Sequence, residues 1–447
     1  MTSSVTDKAA RLISGFDGAA VPREALHSAS LAIRDCLGVA LAGFEEPVSR
    51  IIRDATLTPT APQEASIWGT ALRTSVLDAA LINGTTAHAL DYDDQNRSML
   101  GHPSSVLVPA LFAVGEAEGL PGRRILEAYV LGLQLMARLG LVFGQAGYDK
   151  SWHPTAILGV LGTCASTAYL HGLDYETTLH AIGIAASEAS SIKKNFGSMA
   201  KPLHVGSAAR KGIWAARLAQ AGLTADRQAL DGKFGFFEMF NGRAHEAPDE
   251  DWTHPLEILK TGLVYKQYPC CGGLHALVDN AIAMRAQHGI DAKGIETIEC
   301  RVNPNKTTYL DRPQPKTALD AKFSIQYCVA TALIDGAVGL EHFEGGGLGR
   351  SDVHALLTKA RVTGDASLSS FGCVLTIQMR DGKQHSGALA EAKGSLKFPL
   401  TDEELEAKFC DCAASRLGAT RARELSGALM TLATMPDVSA LMPLVAP

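Results

Sequence analysis

ILGVLGTCASTAYL, from Ile157 to Leu170, carries no charged side chain and is apolar nearly all round, with glycine and alanine where neighbouring helices must approach. That is the composition of a helix buried in the middle of a bundle, and Pro154 suits its first turn. Outward from it, between about residues 22 and 222, apolar residues recur at helical spacing in Ala- and Leu-rich segments with few β-branched runs. The region reads as all-helical. Pro22 opens a helix through Leu31, Ile33, Leu37 and Leu41 to about Gly43, and Ser75 caps the next, through Leu81 to about Leu90. Similar helices follow Pro109, Pro121, Pro154, Asp174 and Pro202.

Beyond Tyr265 the pattern changes. KQYPCCGG is a loop, ETIECRVN from Glu296 alternates like a strand, and CVLTIQMR, Asp381-Gly382 and KQHSGAL read as a β-hairpin. Helices are expected near 275–288 and 318–336. After Pro399 helical spacing returns in DEELEAKFCDCAASRL and RARELSGALMTLATM. The expected fold is therefore mainly α: a large, discontinuous all-helical bundle domain over 1–266 and 400–447, with a smaller α+β domain inserted at 267–399. At roughly 130 residues the insert is large enough for its own core. GGGLGR at 345–350 imitates a phosphate loop, but it follows no strand and opens no βαβ unit, so a turn is expected there.

The 447 residues carry a formal charge of −6, and lysine and arginine are scattered rather than run together. Neither nucleic acid nor an anionic membrane is expected as a partner, so any anion binding must be local. Residues 1–20 lack the apolar core of a signal peptide, and no run of about 20 apolar residues stands out. Nine cysteines, an odd number without C-x-x-C spacing, suit a reducing, cytoplasmic chain without a zinc site.

Four polar groups interrupt the apolar pattern. The first is HALDYDDQNRSMLGHPSSVLVP, His88 to Pro109, which puts Asp91, Asp93 and Asp94 within four residues and leaves Asp91, Arg97 and His102 on a loop. Such crowding raises carboxyl pKa values unless one of them faces a cation or a substrate hydroxyl. Helix capping by Asp91 or Asp93, and a backbone hydrogen bond from His102, are the plainer alternative. A metal held by His88, Asp91 and Asp93 is not expected, because no second His or Cys cluster helps and a carboxylate–lysine network uses the same residues.

The second group is GYDKSWHPTAILG, with Tyr148, Lys150, Trp152 and His153 just before the buried helix. The positive end of that helix favours a carboxylate and lowers a histidine pKa, so His153 is either a base or a capping histidine. In the third, KKNFGSMAKPLHVGSAARKG, Lys201 stands out beside Pro202 among small residues, near Lys193, Lys194 and His204. The fourth, YKQYPCCGGLH, holds Lys266, Tyr268 and His275 at the expected domain boundary, a common place for a cleft. Cys270 and Cys271 are read as packing rather than reacting.

HALDYDD with HPSS, WHPTA, MAKPLHVG, YKQYPCCGGLH, TTYLDRPQP and AKFSIQYCVA together resemble the MmgE/PrpD family over essentially the whole chain. The resemblance implies an enzyme without cofactor, a homodimer, and an active site between a helical and an α+β domain. It places active-site positions on Asp91, His102, His153, Lys201, Lys266 and Tyr309. Known activities of the family, namely dehydration, decarboxylation and epimerisation, act on small polyanionic carboxylates that pass through a carbanion next to a carboxylate. Decarboxylase-like members carry threonine directly after the DFDD run, whereas this chain has Gln95 and a stretch to the His-Pro that is one residue longer. Together with the chain length and the joints near Lys266 and Leu400, this resembles the members that epimerise iminodisuccinate.

The expected reaction is thus an isomerase's: proton abstraction from the carbon bearing carboxylate and amine, and return on the opposite face. Lys201 and Lys266, with Arg97 or Arg312, would neutralise the enediolate. His102 or His153 serves one face and Tyr148 or a lysine the other, with Asp91 orienting its histidine partner, while Gln95, Tyr309 and His275 complete the substrate contacts. A lyase acting on a tricarboxylate, by dehydration or decarboxylation, is the alternative. A non-catalytic binding protein is the remote one.

Overall fold

The computed structural model describes residues 4–242, 250–344 and 346–447. The chain is mostly helical with a small sheet, and it separates into two compact units: Met1–Ala89, Asp93–Val264 and Thr401–Pro447 form one, Leu90–Tyr92 and Tyr265–Leu400 the other.

In the first unit the helix Pro154–Leu170 is buried almost throughout and packs on the helices Ala200–Gln220, Gly122–Asp149, Ser104–Glu118 and Tyr175–Glu188. Small residues set these distances. A methyl group at Gly132 would lie 3.2 Å from the Gly162 carbonyl oxygen, and one at Gly162 3.3 Å from that of Gly132. The helix Val76–Ala87, capped by Ser75 accepting from Asp78 N–H, crosses Ala200–Gln220 closely enough that a methyl group at Gly84 would lie 2.9 Å from Gly206 Cα. The crossing leaves no room for a side chain at either glycine.

Three expectations need correction in this unit. The helix expected after Pro109 begins five residues earlier, at Ser104, and contains Pro109; its start is fixed by Asp94, whose carboxylate accepts from Ser104 N–H at 3.3 Å. The unit is not entirely helical, since Ala65–Ser66 pairs antiparallel with Arg73–Thr74. Two helical stretches, Arg23–Glu45 and Gly122–Gln145, are long and apolar enough to cross a membrane, but 83% and 94% of their most apolar windows are buried within the protein, as core helices are.

The last long helix, Asp402–Leu417, starts with a capping box between Thr401 and Glu404 and packs on Arg23–Ala42. Lys408 meets Asp35 there at 2.7 Å, both buried, and the Phe409 ring occupies the space a Cβ on Gly38 would need.

The second unit is built on a four-stranded sheet in the order Ala360–Gly364, Ile295–Val302, Cys373–Met379, Gln384–Leu389, with the first pair parallel and the others antiparallel. Ile298, Cys300 and Val302 stand opposite Ile377, Leu375 and Cys373, and all six are buried. This is the alternation that the sequence shows from Glu296. The hairpin turns at Asp381-Gly382, where Gly382 takes φ +87°. The helix His275–His288 packs on the last two strands.

The helix expected over 318–336 is two, Ala318–Ala321 and Ile325–Asp335, because Ser324 caps the second by accepting from Tyr327 N–H. The strand Ala360–Gly364 was not expected. Within the glycine-rich stretch, Gly347–Gly349 is a short 3-10 turn, and Gly345 lies outside the described residues.

Candidate active site

His88 ends the helix Val76–Ala87 as its C-cap. Five residues on, the Asp93 carboxylate accepts from His88 Nδ1 at 2.8 Å and lies 3.3 Å from His102 Nδ1. His88 and Asp93 are essentially solvent-free, at 1% and 0% exposure, and the two imidazole rings meet edge to face with centroids 4.7 Å apart. Burial pushes the Asp93 carboxyl up, but the two imidazoles outweigh it and hold it well below the usual carboxylate range. Asp93 is therefore an anion. Burial, against the pull of Asp93 and with Lys201 nearby, drives the His88 pKa down to about 4, so His88 is neutral, donates from Nδ1 and keeps a lone pair on Nε2.

The rest of this loop holds His102 in place. Its N–H donates to Thr155 Oγ1 at 3.1 Å, which ties it to the first turn of the central helix, and the Gln95 amide reaches His102 Nε2 at 3.5 Å. Gln95 is itself bridged through its backbone to Val264 at 2.9 and 2.7 Å. Asn96 and Gly101 pair across a turn that puts Leu100 at φ +53°, while half-buried Arg97 rides between them. Asp94 faces Ser104, whose hydroxyl also meets Tyr129 OH at 2.6 Å. Burial, with Asp35 and Asp93 adding to it, raises the Asp94 carboxyl well above its ordinary value against the Ser104 hydrogen bonds.

His153 stands at the N-cap of the central helix, and its N–H donates to Ser191 O at 3.1 Å. Its ring is packed edge-on against Phe196 and joined to His204 by an Nδ1–Nδ1 hydrogen bond of 3.2 Å. Lys201, 4% exposed, lies one helical turn before His204 with its ammonium 5.3 Å from the Phe196 ring centroid. Burial first, then the Lys201 charge, pushes His153 well below its ordinary pKa and His204 to about 4. Both rings are neutral. Tyr148 lies under the Lys193 ammonium, 3.3 Å from its ring centroid. In this unit the structure thus gathers His88, Asp93, His102, His153, Lys201 and His204.

In the second unit Asp91 adopts φ +53°, in the left-handed region that costs a non-glycine residue on the order of 1 kcal/mol or more. Lys266, 1% exposed, holds it there: its ammonium donates to the Asp91 backbone oxygen and sits 3.0 Å from Oδ1. Lys322 donates to Leu90 O at 3.0 Å. Arg312 is braced by Asp320 and Tyr309 O, and His275 hydrogen-bonds Cys270 O at 3.1 Å while stacking edge-on with Tyr268. Burial raises the Cys270 thiol well above its ordinary pKa, which fits a packing role. Tyr309 OH lies near Gly273, 3.3 Å from where a Cβ would be.

His88, Asp93 and His102 place nitrogen and oxygen donors within 4.8 Å of one another, a distance that alone would suit a divalent ion. Lys201 weighs against one, because its charge already depresses His88 and His153 and would repel a second cation.

Three of the gathered residues, His88, Asp93 and His204, were not among the expected acid–base groups. His204 was within reach, since i and i+3 share a helix face; the pairing of Asp93 with two histidines has no comparable signal.

These residues sit on a chain that belongs to the MmgE/PrpD family: residues 7–247 match its N-terminal domain and residues 268–432 its C-terminal domain. Among similar proteins, a cis-aconitate decarboxylase of Homo sapiens is 28% identical over 460 residues, covering 99% of this chain and 94% of that one. The Mus musculus protein of the same name is also 28% identical, over 99% and 93%, and one from Aspergillus terreus is 24% identical, over 99% and 96%.

These full-length relatives are named for a lyase, which overturns the expected epimerase, and with it the isomerase assignment and an iminodisuccinate-like substrate. Chain length, joint positions and Gln95 do not decide the chemistry. Chain length and joint positions change with surface loops, and Gln95 acts on the hydrogen bonding of His102, which leaves open which bond to the substrate carbon breaks.

Proposed function

We propose that this protein is a lyase that decarboxylates a small unsaturated polycarboxylate of the cis-aconitate type. The observation that carries the reading is similarity along the full chain to proteins named for that reaction, and the chemistry of the gathered side chains suits it. Lys201, buried beside neutral histidines, takes a substrate carboxylate where water is scarce and a single positive charge counts for more than in solvent. The C–CO₂ bond breaks, CO₂ leaves, and the electron pair spreads through the double bond onto a neighbouring carboxylate. A proton then closes the new C–H bond.

A neutral imidazole N–H is a weak acid, and a carbanion next to a carboxylate is a base strong enough to take its proton. His153, held at the start of the central helix, is the donor in this scheme. Incubating the purified protein with cis-aconitate should release one CO₂ per substrate and leave a dicarboxylate lighter by that CO₂. His153→Ala should slow this by about 100-fold or more. Absence of CO₂, or a hydrated product of unchanged carbon count, would remove the proposal.

A further inference from the structure

Decarboxylation with protonation at carbon consumes one proton per turnover, so a buried donor must be recharged each time. His153 is 2% exposed, and its Nδ1 is joined at 3.2 Å to Nδ1 of His204, which is half-buried. Two imidazoles sharing an Nδ1–Nδ1 hydrogen bond carry the proton on one of the two nitrogens only. They therefore hold opposite roles at that contact: one ring donates from Nδ1 and the other accepts there. Because the accepting ring is neutral, its remaining proton sits on Nε2.

We propose that His204 recharges His153 through this contact, as a positioning and relay residue that does not itself touch substrate. This rests on the decarboxylase reading. In the resting pair His153 bears its proton on Nε2 and His204 on Nδ1. As His153 Nε2–H passes to the substrate carbanion, His153 Nδ1 takes the His204 Nδ1 proton, and His204 Nε2 takes one from water. Both rings begin and end neutral, two N–H bonds break and two new ones form, and the pair is left as the opposite tautomers. Once product has gone, water protonates His153 Nε2 as the His153 Nδ1 proton returns to His204 Nδ1 and the His204 Nε2 proton to solvent, which restores the resting pair with one proton drawn from water per turnover. No imidazolium is needed, which suits a pair whose rings burial and the Lys201 charge keep neutral.

His204→Ala and His204→Gln separate a relay from a brace. Glutamine donates a hydrogen bond to His153 Nδ1 from an amide, so it preserves the contact, but it cannot pass a proton on. Both variants should lose about 100-fold in kcat on cis-aconitate with KM within about twofold of the parent, and added imidazole should restore His204→Ala. A glutamine variant as fast as the parent, a slowed alanine variant that imidazole leaves unchanged, or two unimpaired variants would each overturn the relay.

A parent protein that releases no CO₂ would count against the function and not the relay, which has a test without turnover. Nitrogen NMR of the histidine-labelled protein should show His153 protonated at Nε2 and His204 at Nδ1, and the reverse assignment or an imidazolium would overturn it.

Discussion

Three aspartates stand within four positions, and their surroundings give them three different states. Asp91 is locked on Lys266, Asp93 is an anion between two imidazoles, and Asp94 is driven toward its protonated form against Ser104. Replacing Asp93 by asparagine keeps the shape and removes the charge that selects the tautomers of His88 and His102, so kcat should fall about 100-fold with an unchanged circular dichroism spectrum. Steady-state kinetics on cis-aconitate would check it. Lys306 makes a second residue-scale case. It is buried, and among the described residues its ammonium has neither hydrogen bond nor ion pair; burial, opposed by Cys373 and Cys271, lowers its pKa to about 8. The proton thus prefers the unfolded chain, and the penalty of about 3 kcal/mol below pH 8 is relieved as pH rises toward the unfolded value near 10.5. Lys306→Met should stabilise the protein at pH 7 and lessen the gain in urea midpoint between pH 8 and 10.5. At this scale the sequence indicated Lys201, His153 and the crowding of carboxylates. It could not indicate which aspartate meets which partner, because Lys266 lies 175 residues from Asp91.

Elements were more legible, because periodicity is local. The Ser75 cap, the Pro154 start and the Asp381-Gly382 hairpin each depend on residues within a turn of one another, and each is present. Ala360–Gly364 escaped because its strand is short and mostly exposed, without the apolar alternation that identifies Ile295–Val302. Pro109 misled because a proline reads as a helix start, whereas here Asp94, fifteen residues earlier in the chain, marks the helix's N-terminus from a folded loop. The helix Ala200–Gln220 carries both Lys201 and His204, and Gly206 is where it crosses Val76–Ala87. Gly206→Ala would drive a methyl group into the Leu81 carbonyl and Thr85, which are backbone and branched side chain and yield little. We expect a loss of about 1–3 kcal/mol in denaturant unfolding, and a fall in kcat at temperatures where the variant is still folded, since the helix that moves carries the lysine and the histidine.

At the scale of the whole molecule, Leu90–Tyr92 belongs to the second unit although the residues on either side belong to the first. Composition had suggested a boundary near Lys266, since that is where the pattern changes; a three-residue visit leaves no trace in composition. The visit matters to Lys266 and Lys322, whose ammonium groups are satisfied by Asp91 and by the Leu90 carbonyl. A fragment of residues 265–400 alone would lose these acceptors, at a cost of about 3–5 kcal/mol for breaking the buried Lys266–Asp91 pair. It should be molten or aggregated by near-UV circular dichroism, and a peptide covering residues 88–94 supplied in trans should restore a cooperative transition; a well-folded fragment without the peptide would contradict this. The coding sequence of this unit is thus split, with three of its codons embedded within the reading frame of the other.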